Sequence, residues 1–335
     1  MITSPCLGSC RINPASQLCD GCARSDDEIA AWKEVTAADR ARIWADLPGR
    51  RNRLGISLHR LGWTPDEILD FVEESLQAGS GAWGVGVYGA SARFATGRDA
   101  HPTIDRRGST ITAMTATAAI RFTINDRTRV LVLPVTDEGD APSRGRIILA
   151  IPRSNTTPRP ASSLTPLGAD EDAIRPAECG ARLYDLGLNS SAASCCLRTS
   201  DRDPVAELDR RIGQSWASVL GKSGDRSVWN SSSLVIANPV ARIEVFAPDH
   251  PASGRPAANS CVEIDPDRLA QGRETPPGMD LPGSFIPCAI FEPETGRREM
   301  APTPGIADQF SPLAALFDLD HPRNFGGRLK DGMAS

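Results

Sequence analysis

The chain has 335 residues, of which 40% are hydrophobic and 24% charged, and its formal net charge at pH 7 is −5. This composition is typical of a globular protein and excludes a disordered or fibrous chain. The acidic balance also argues against binding through a basic surplus, so nucleic acid is not the expected partner. The sequence contains neither an apolar run of the roughly 20 residues that a membrane helix needs nor a secretory signal. Together these features predict a cytoplasmic protein without a membrane partner.

Four cysteines lie close together at the start of the chain, in the spacing C-x3-C-x8-C-x2-C: Cys6, Cys10, Cys19 and Cys22. In a reducing cytoplasm such a group is more typical of a metal site than of disulfides. Four thiolates with no spare ligand favour a closed, structural zinc site, in which Gly21 permits the tight turn and nearby amides donate to sulfur. An iron–sulfur cluster is the alternative, although the sequence lacks the C-x2-C triplet and trailing proline of many cluster motifs. The other cysteines are scattered along the chain and are interpreted as core residues: Cys179, Cys195, Cys196, Cys261 and Cys288.

Short helices are predicted after the cysteines. Ser25 and Glu28 form a capping-box signature, which predicts a helix through Trp32. Thr64 and Glu67 repeat this device before an amphipathic run, which predicts a helix to about residue 78.

Between these helices, the sequence predicts another amphipathic helix. It begins at Thr36 and is predicted to end at Pro48 and Gly49, since proline and glycine together interrupt a helix. The basic cluster that follows is interpreted as a solvated face: Arg50, Arg51 and Arg53.

After Gly79 the pattern changes to short apolar runs between turn residues, as in antiparallel strands. The expected strands include consecutive ones that pair as a meander: 83–88, 111–124, 129–134, 146–151, 233–237, 242–246 and 286–291. The prediction is therefore an α+β protein. A small helical four-cysteine metal module occupies residues 1–78, a larger mixed domain with an antiparallel sheet occupies residues 80–300, and residues 301–335 form a poorly ordered tail.

The cysteines and the residues around them resemble a known family. The residues that carry the resemblance are Ser4-Pro5-Cys6, Gly8, Cys10, Cys19, Gly21-Cys22, Arg24, Asp27-Glu28-Ile29, Trp32 and Leu47-Pro48. Over residues 3–50 the chain resembles domain-of-unknown-function family 1289, the YdhL-like bacterial proteins commonly labelled predicted Fe–S proteins. The resemblance implies that the four cysteines are ligands and shifts the balance between the two candidate metals toward iron. Ala23 stands where the family more often has glycine, a departure interpreted as harmless.

Three stretches of the larger domain are similar to an uncharacterised bacterial region that can follow such a module. They are Leu167–Ile174, Leu183–Leu188 and Cys196–Thr199. The similarity carries no known activity, but it implies that residues 80–300 form one unit.

Three functional hypotheses follow. The first is a non-enzymatic metal-binding protein whose four-cysteine module stabilises the N-terminal region and presents a surface to another protein. The second is an iron–sulfur protein that transfers electrons or senses oxidants. The third is an enzyme with a site in residues 80–300, although the sequence contains no recognisable nucleophile triad or phosphate loop that would indicate a small-molecule substrate.

Overall fold

The computed structural model describes residues 4–8, 10–56, 58–87, 90–95, 102–133, 146–153, 163–188, 193–220, 232–246, 260–264 and 284–293. The predicted tail, residues 301–335, lies outside this described part. The helices are α1 (Asp26–Ala30), α2 (Ala37–Leu54), α3 (Pro65–Ala78), α4 (Arg202–Arg210) and α5 (Trp216–Leu220), with 3-10 turns at Ala31–Lys33 and Pro176–Glu178. No helix in this part of the chain combines the length and apolar character needed to cross a membrane.

The strands form two antiparallel sheets, which confirms the α+β class. The strands are β1 (His59–Leu61), β2 (Gly81–Val87), β3 (Ala90–Ala95), β4 (Thr103–Arg107), β5 (Thr110–Met114), β6 (Ala118–Thr123), β7 (Arg129–Leu133), β8 (Arg146–Pro152), β9 (Thr165–Ala169), β10 (Arg182–Asp185), β11 (Ser194–Thr199), β12 (Ser233–Ala237), β13 (Ala241–Val245), β14 (Ser260–Ile264) and β15 (Phe285–Pro293). One sheet has the order β1-β7-β8-β15-β2-β3-β14, and the other has the order β4-β5-β6-β13-β12-β11-β10-β9.

The two sheets share one hydrophobic core. Trp83 on β2 and Phe122 on β6 come from different sheets, and their ring centroids lie 4.7 Å apart. Ile68 and Val72 of α3 are fully buried in the same core. The Trp83 indole N–H also donates to the Ser75 hydroxyl of α3 at 2.9 Å. Helix α3 therefore packs against the two sheets. The domain boundary near residue 80 stays a prediction.

The residues around α1 and α2 form a smaller core of their own. It contains the buried side chains of Ala23, Ile43 and Leu47, with Trp32 and Trp44 packed against them. The capping boxes predicted for α1 and α3 are both present, and Pro65 lies in the first turn of α3.

The predicted end of α2 at Pro48 and Gly49 is wrong. The helix continues to Leu54 and ends at Gly55, whose φ of 66° lies in the left-handed region. Pro48 has no N–H to donate to the carbonyl four residues earlier, which normally weakens a helix. Here Leu47 and Arg51 on either side of this point are buried, so tertiary packing stabilises the continuous helix.

The strand predicted over residues 111–124 is also wrong, since it forms the two paired strands β5 and β6. The turn between them contains no glycine or proline. Instead, the Thr115 hydroxyl accepts from the Ala118 amide at 3.1 Å, and the Thr115 amide donates to the Ala118 carbonyl at 2.8 Å. The predicted meander is wrong as well, because the consecutive strands β6 and β7 lie in different sheets.

Candidate metal centre

A hairpin-like loop brings the two halves of the cysteine motif together. Ile12 and Cys19 form an antiparallel bridge, and the Asp20 amide donates to the Arg11 carbonyl at 2.9 Å. An ion pair between the Arg11 and Asp20 side chains, at 2.9 Å, closes the same end of the loop. Cys10, next to Arg11, therefore lies beside Cys19 although eight residues separate them in sequence.

A tight turn then joins Cys19 to Cys22. The Ala23 amide donates to the Cys19 carbonyl at 2.8 Å, and the Cys19 amide donates to the Arg24 carbonyl at 2.7 Å. Gly21 was predicted to supply the special backbone conformation, but the residue with a positive φ is Ala23, at 61°. The replacement of glycine by Ala23 is therefore not neutral, because a left-handed backbone costs about 1–2 kcal/mol in a residue with a Cβ.

Three of the four sulfurs make direct contacts. The Cys10 thiol donates to the Cys19 sulfur at 3.9 Å. A hydrogen bond from the Cys22 side chain lowers the pKa of Cys19 to about 4, and the same bond raises the pKa of Cys22. Backbone amides of Cys22, Gly21 and Arg11 also act on the Cys19 sulfur in the direction that favours a thiolate. This confirms the prediction that amides donate to sulfur.

Cys6 lies at the edge of this group. Its sulfur accepts from the Gly8 amide at 3.2 Å. Burial raises the pKa of Cys10, and the neighbouring charges of Cys19 and Cys6 raise it further. Within the described residues, no group of three or more His, Cys, Asp or Glu side chains has an arrangement that could hold a metal ion. The thiols are therefore adjacent in pairs and do not form a complete coordination shell, so their role as metal ligands stays a prediction.

Three buried arginines surround the cysteines: Arg24, Arg51 and Arg60, which are 2%, 5% and 6% exposed. The Arg24 Nε–H donates to the Cys22 sulfur at 3.4 Å, and its guanidinium stacks on the Trp32 ring at 4.6 Å. The Arg51 Nη2 donates to the Arg60 carbonyl at 3.4 Å, which joins α2 to β1.

The charges of the cysteines reach the arginines. Burial lowers the pKa of Arg51, and the charge of Cys22 opposes this. Burial also lowers the pKa of Arg60 to about 10 with help from Arg129, while the charge of Cys6 acts in the opposite direction. The environment of the cysteines is therefore strongly cationic.

The interpretation of the basic cluster on α2 as a solvated face is wrong for two of its three members. Arg51 is buried, and Arg50 binds both carboxylate oxygens of Glu28, at 2.6 and 3.0 Å. Only Arg53 is exposed. A signal for Arg51 was present, because it follows Ile43 and Leu47 at spacings of four residues and so lies on the buried stripe of the helix.

Outside the N-terminal region, the cysteines behave differently from one another. Cys195, Cys196 and Cys288 are buried, as expected for core residues, whereas Cys179 is exposed. Burial raises the pKa of Cys196 and of Cys288 to about 12. These thiols are therefore protonated and unreactive at neutral pH.

The larger domain contains a buried ionic cluster that the sequence did not indicate. Arg198 Nη1 lies 2.9 Å from both Asp170 Oδ2 and Glu244 Oε2, and Arg242 pairs with the same two carboxylates. The Ile174 amide donates to Glu244 at 3.0 Å and so fixes residues 170–174 over the sheet. Each charged side chain of the cluster has an opposite charge beside it, so the cluster orders this part of the fold.

Next to this cluster is an open cavity of about 430 Å³. Its lining includes Arg121, Asp172, Asn238 and Arg242. Asn238 is itself engaged, since its side-chain oxygen accepts from the amides of Val240 and Ala241, at 3.0 and 2.9 Å. Among the described residues, the cavity lining includes the threonines Thr110 and Thr123 but no cysteine, serine or histidine.

The chain matches two protein-family models. Residues 4–51 match the family described as Protein of unknown function (DUF1289), which confirms the resemblance around the cysteines. Residues 67–317 match the family described as Family of unknown function (DUF6925). Neither the curated proteins nor the solved structures gave a match. Since the second match covers well over half of its length, the chain belongs to the DUF6925 family and carries a DUF1289 region at its N terminus.

Proposed function

We propose that Cys6, Cys10, Cys19 and Cys22 bind one zinc ion in a closed structural centre. The observation that carries this proposal is the distance of 3.9 Å between the sulfurs of Cys10 and Cys19. With Zn–S bonds of about 2.3 Å, two sulfurs of a tetrahedral site lie about 3.8 Å apart. In a 4Fe–4S cluster each of the four thiolates binds a different iron and the sulfurs are farther apart, so the distance favours a site in which both sulfurs bind the same metal ion.

The small core of the N-terminal region supports a structural role. Besides Ala23, only Ile43 and Leu47 are buried hydrophobic residues in this core. Such a core contributes little to folding, and a bound metal commonly supplies the missing stability in small domains. The cysteines contribute by holding the hairpin loop against the turn that follows it, and the bound ion supplies the cross-link.

The proposed role of the N-terminal region is to contact another protein, because its four-cysteine centre has no open coordination position. Four thiolates fill a tetrahedral site and leave no position for a substrate. The proposed function is therefore a metal-stabilised interaction protein, located in the cytoplasm, in which the N-terminal region presents a surface to a protein partner. An iron–sulfur redox protein is the second candidate, because Cys10 is exposed and a cluster near the surface can exchange electrons.

Metal analysis of anaerobically purified protein tests the proposal. We expect about one zinc per chain and no absorption near roughly 400 nm, where iron–sulfur clusters absorb. Cys6→Ser and Cys19→Ser should each lose the zinc and lower the melting temperature, whereas Cys179→Ser, the control at an exposed cysteine outside the site, should retain both. Purified protein that contains iron and sulfide would support the second candidate. If the wild-type protein contains no metal and Cys19→Ser has the same melting temperature as the wild type, both candidates are wrong.

A further inference from the structure

The three arginines around the cysteines have buried nitrogens without a hydrogen-bond partner. These atoms are Arg24 Nη1, Arg51 Nε and Arg60 Nε. Among the described residues, no carboxylate forms an ion pair with any of the three. A buried cation without a counter-charge is unfavourable, because it loses its hydration and gains nothing in return. The arrangement therefore requires a source of negative charge nearby.

The other buried arginines of the protein show the contrast. Arg198 and Arg242 are also buried, and although Arg198 too has two nitrogens without a hydrogen-bond partner, it pairs with three carboxylates and Arg242 pairs with two. For these two arginines, acidic side chains balance the buried positive charge. Around the cysteines the partner of Arg24 is instead a sulfur, since Arg24 Nε lies 3.4 Å from the Cys22 sulfur, which becomes anionic when it binds a metal as a thiolate.

We propose that Arg24, Arg51 and Arg60 are the counter-charges of an anionic thiolate centre formed by the four cysteines. This inference rests on the proposed metal centre and adds how its charge is balanced. A divalent ion with four thiolates carries a net charge of −2, which the three buried guanidinium groups offset, with Arg24 3.4 Å from the Cys22 sulfur. When the metal is absent and the thiolates become neutral thiols, the three buried arginines repel one another. The same arginines that stabilise the metal-bound protein therefore destabilise the metal-free protein.

Arg60 has a particular place among the three. It lies on β1 opposite Leu131 of β7, so its backbone belongs to the seven-stranded sheet. Its carbonyl accepts from Arg51 Nη2 on α2 at 3.4 Å. The counter-charges therefore connect the cysteine site to both α2 and the sheet.

The test compares zinc affinity in full-length variants by competition with a chromophoric chelator. Arg60→Met should weaken zinc binding about 10- to 100-fold, the usual effect of removing a group that supports metal ligands. Arg60→Lys keeps the charge and should bind close to the wild-type level. Arg53→Met, an exposed arginine on α2, is the control and should leave the affinity unchanged. Arg51→Met provides an independent variant with the same expected weakening.

A second measurement separates charge from packing. In protein carrying Cys6→Ser and Cys19→Ser, Arg60→Met should raise the melting temperature, since it removes an uncompensated cation. A role in packing alone predicts a lower melting temperature in that background. If the wild-type protein binds zinc and the zinc affinity is unchanged in both Arg60→Met and Arg51→Met, the counter-charge proposal is wrong, while the proposed zinc centre stands. Wild-type protein without metal would overturn the proposed centre and its counter-charges together.

Discussion

Ala23 is a buried residue in an unfavourable backbone conformation. It is fully buried, and its φ of 61° lies in the left-handed region. Its amide bonds to the Cys19 carbonyl at 2.8 Å, so the turn that holds the cysteines fixes this conformation. Glycine at this position would adopt the same conformation without the steric conflict of a Cβ.

We therefore expect Ala23→Gly to stabilise the protein by up to about 1 kcal/mol, because relief of the left-handed strain exceeds the added flexibility of the unfolded chain. The measurement is the free energy of unfolding in urea. Ala41→Gly, in the interior of α2, is the control and should destabilise by about 1 kcal/mol. A loss of stability in Ala23→Gly would contradict the assignment of strain to this residue.

Single residues of the site differed in how predictable they were. The cysteine site was predicted from spacing, because several thiols at short separations have few explanations other than a shared site, and the role of the cysteines as metal ligands stays a prediction. Arg24 and Arg60 carry no such signal, since an isolated arginine in sequence is usually exposed. Their burial depends on the packing of α1, α2 and β1 around the cysteines, which sequence spacing does not reveal.

At the level of elements, two glycines, one within α2 and one at its C-terminal cap, have opposite roles. Gly49 lies within the helix, and Gly55 ends it with a φ of 66°. A Cβ added at either position would meet no atom within 4 Å. The two positions therefore differ in backbone conformation and not in available space.

We expect Gly49→Ala to raise the free energy of unfolding by about 1 kcal/mol, since alanine is the better helix former. Gly55→Ala should lower it by about 1 kcal/mol, because alanine resists the left-handed conformation. Chemical denaturation of the two variants beside the wild type measures both effects. Equal changes in the two variants would show that the helix does not continue past Pro48.

The elements were predicted best where local signals agreed. Helix α3 combines a capping box, a proline in its first turn and a regular apolar stripe, and the structure contains all three. The prediction was wrong where tertiary contacts determine the end of an element, as for α2, which continues past Pro48. It was also wrong for the turn between β5 and β6, whose threonine hydroxyl closes it without glycine or proline. The division of the strands between two sheets depends on long-range pairing, which a single sequence does not display.

Across the whole molecule, the cysteine segment is attached to the seven-stranded sheet that contains β7, β8 and β15. Leu7, between the first two cysteines, is buried with Leu131, Ile148 and Ile290. The Ser284 hydroxyl donates to the Leu7 carbonyl at 2.5 Å, across 277 positions of sequence. The proposed metal centre and the sheet therefore share one buried contact.

Leu7→Ala should lower the free energy of unfolding by about 2–5 kcal/mol, the usual range for removing a buried leucine side chain. It should also increase the rate of zinc loss to a chelator, because the neighbouring cysteines lose their attachment to the sheet. Denaturation and chelator kinetics measure the two effects. The control is Leu167→Ala, at a leucine 52% exposed, which should change stability by no more than about 0.5 kcal/mol. Zinc loss at the wild-type rate in Leu7→Ala would show that the two regions are independent.

Strand β1 has a further consequence for how the protein avoids aggregation. It forms the outer edge of its sheet and pairs with β7, whose sequence RVLVL would otherwise present unpaired amides and carbonyls on an apolar strand. A short edge strand carrying an arginine is a poor template for another chain. Residues 59–61 lie between the two family matches, because the first match ends at residue 51 and the second begins at residue 67. The segment joining the two family matches thus shields the sheet, and a chain that begins at residue 67, where the second match begins, would lack β1 and leave β7 open to self-association.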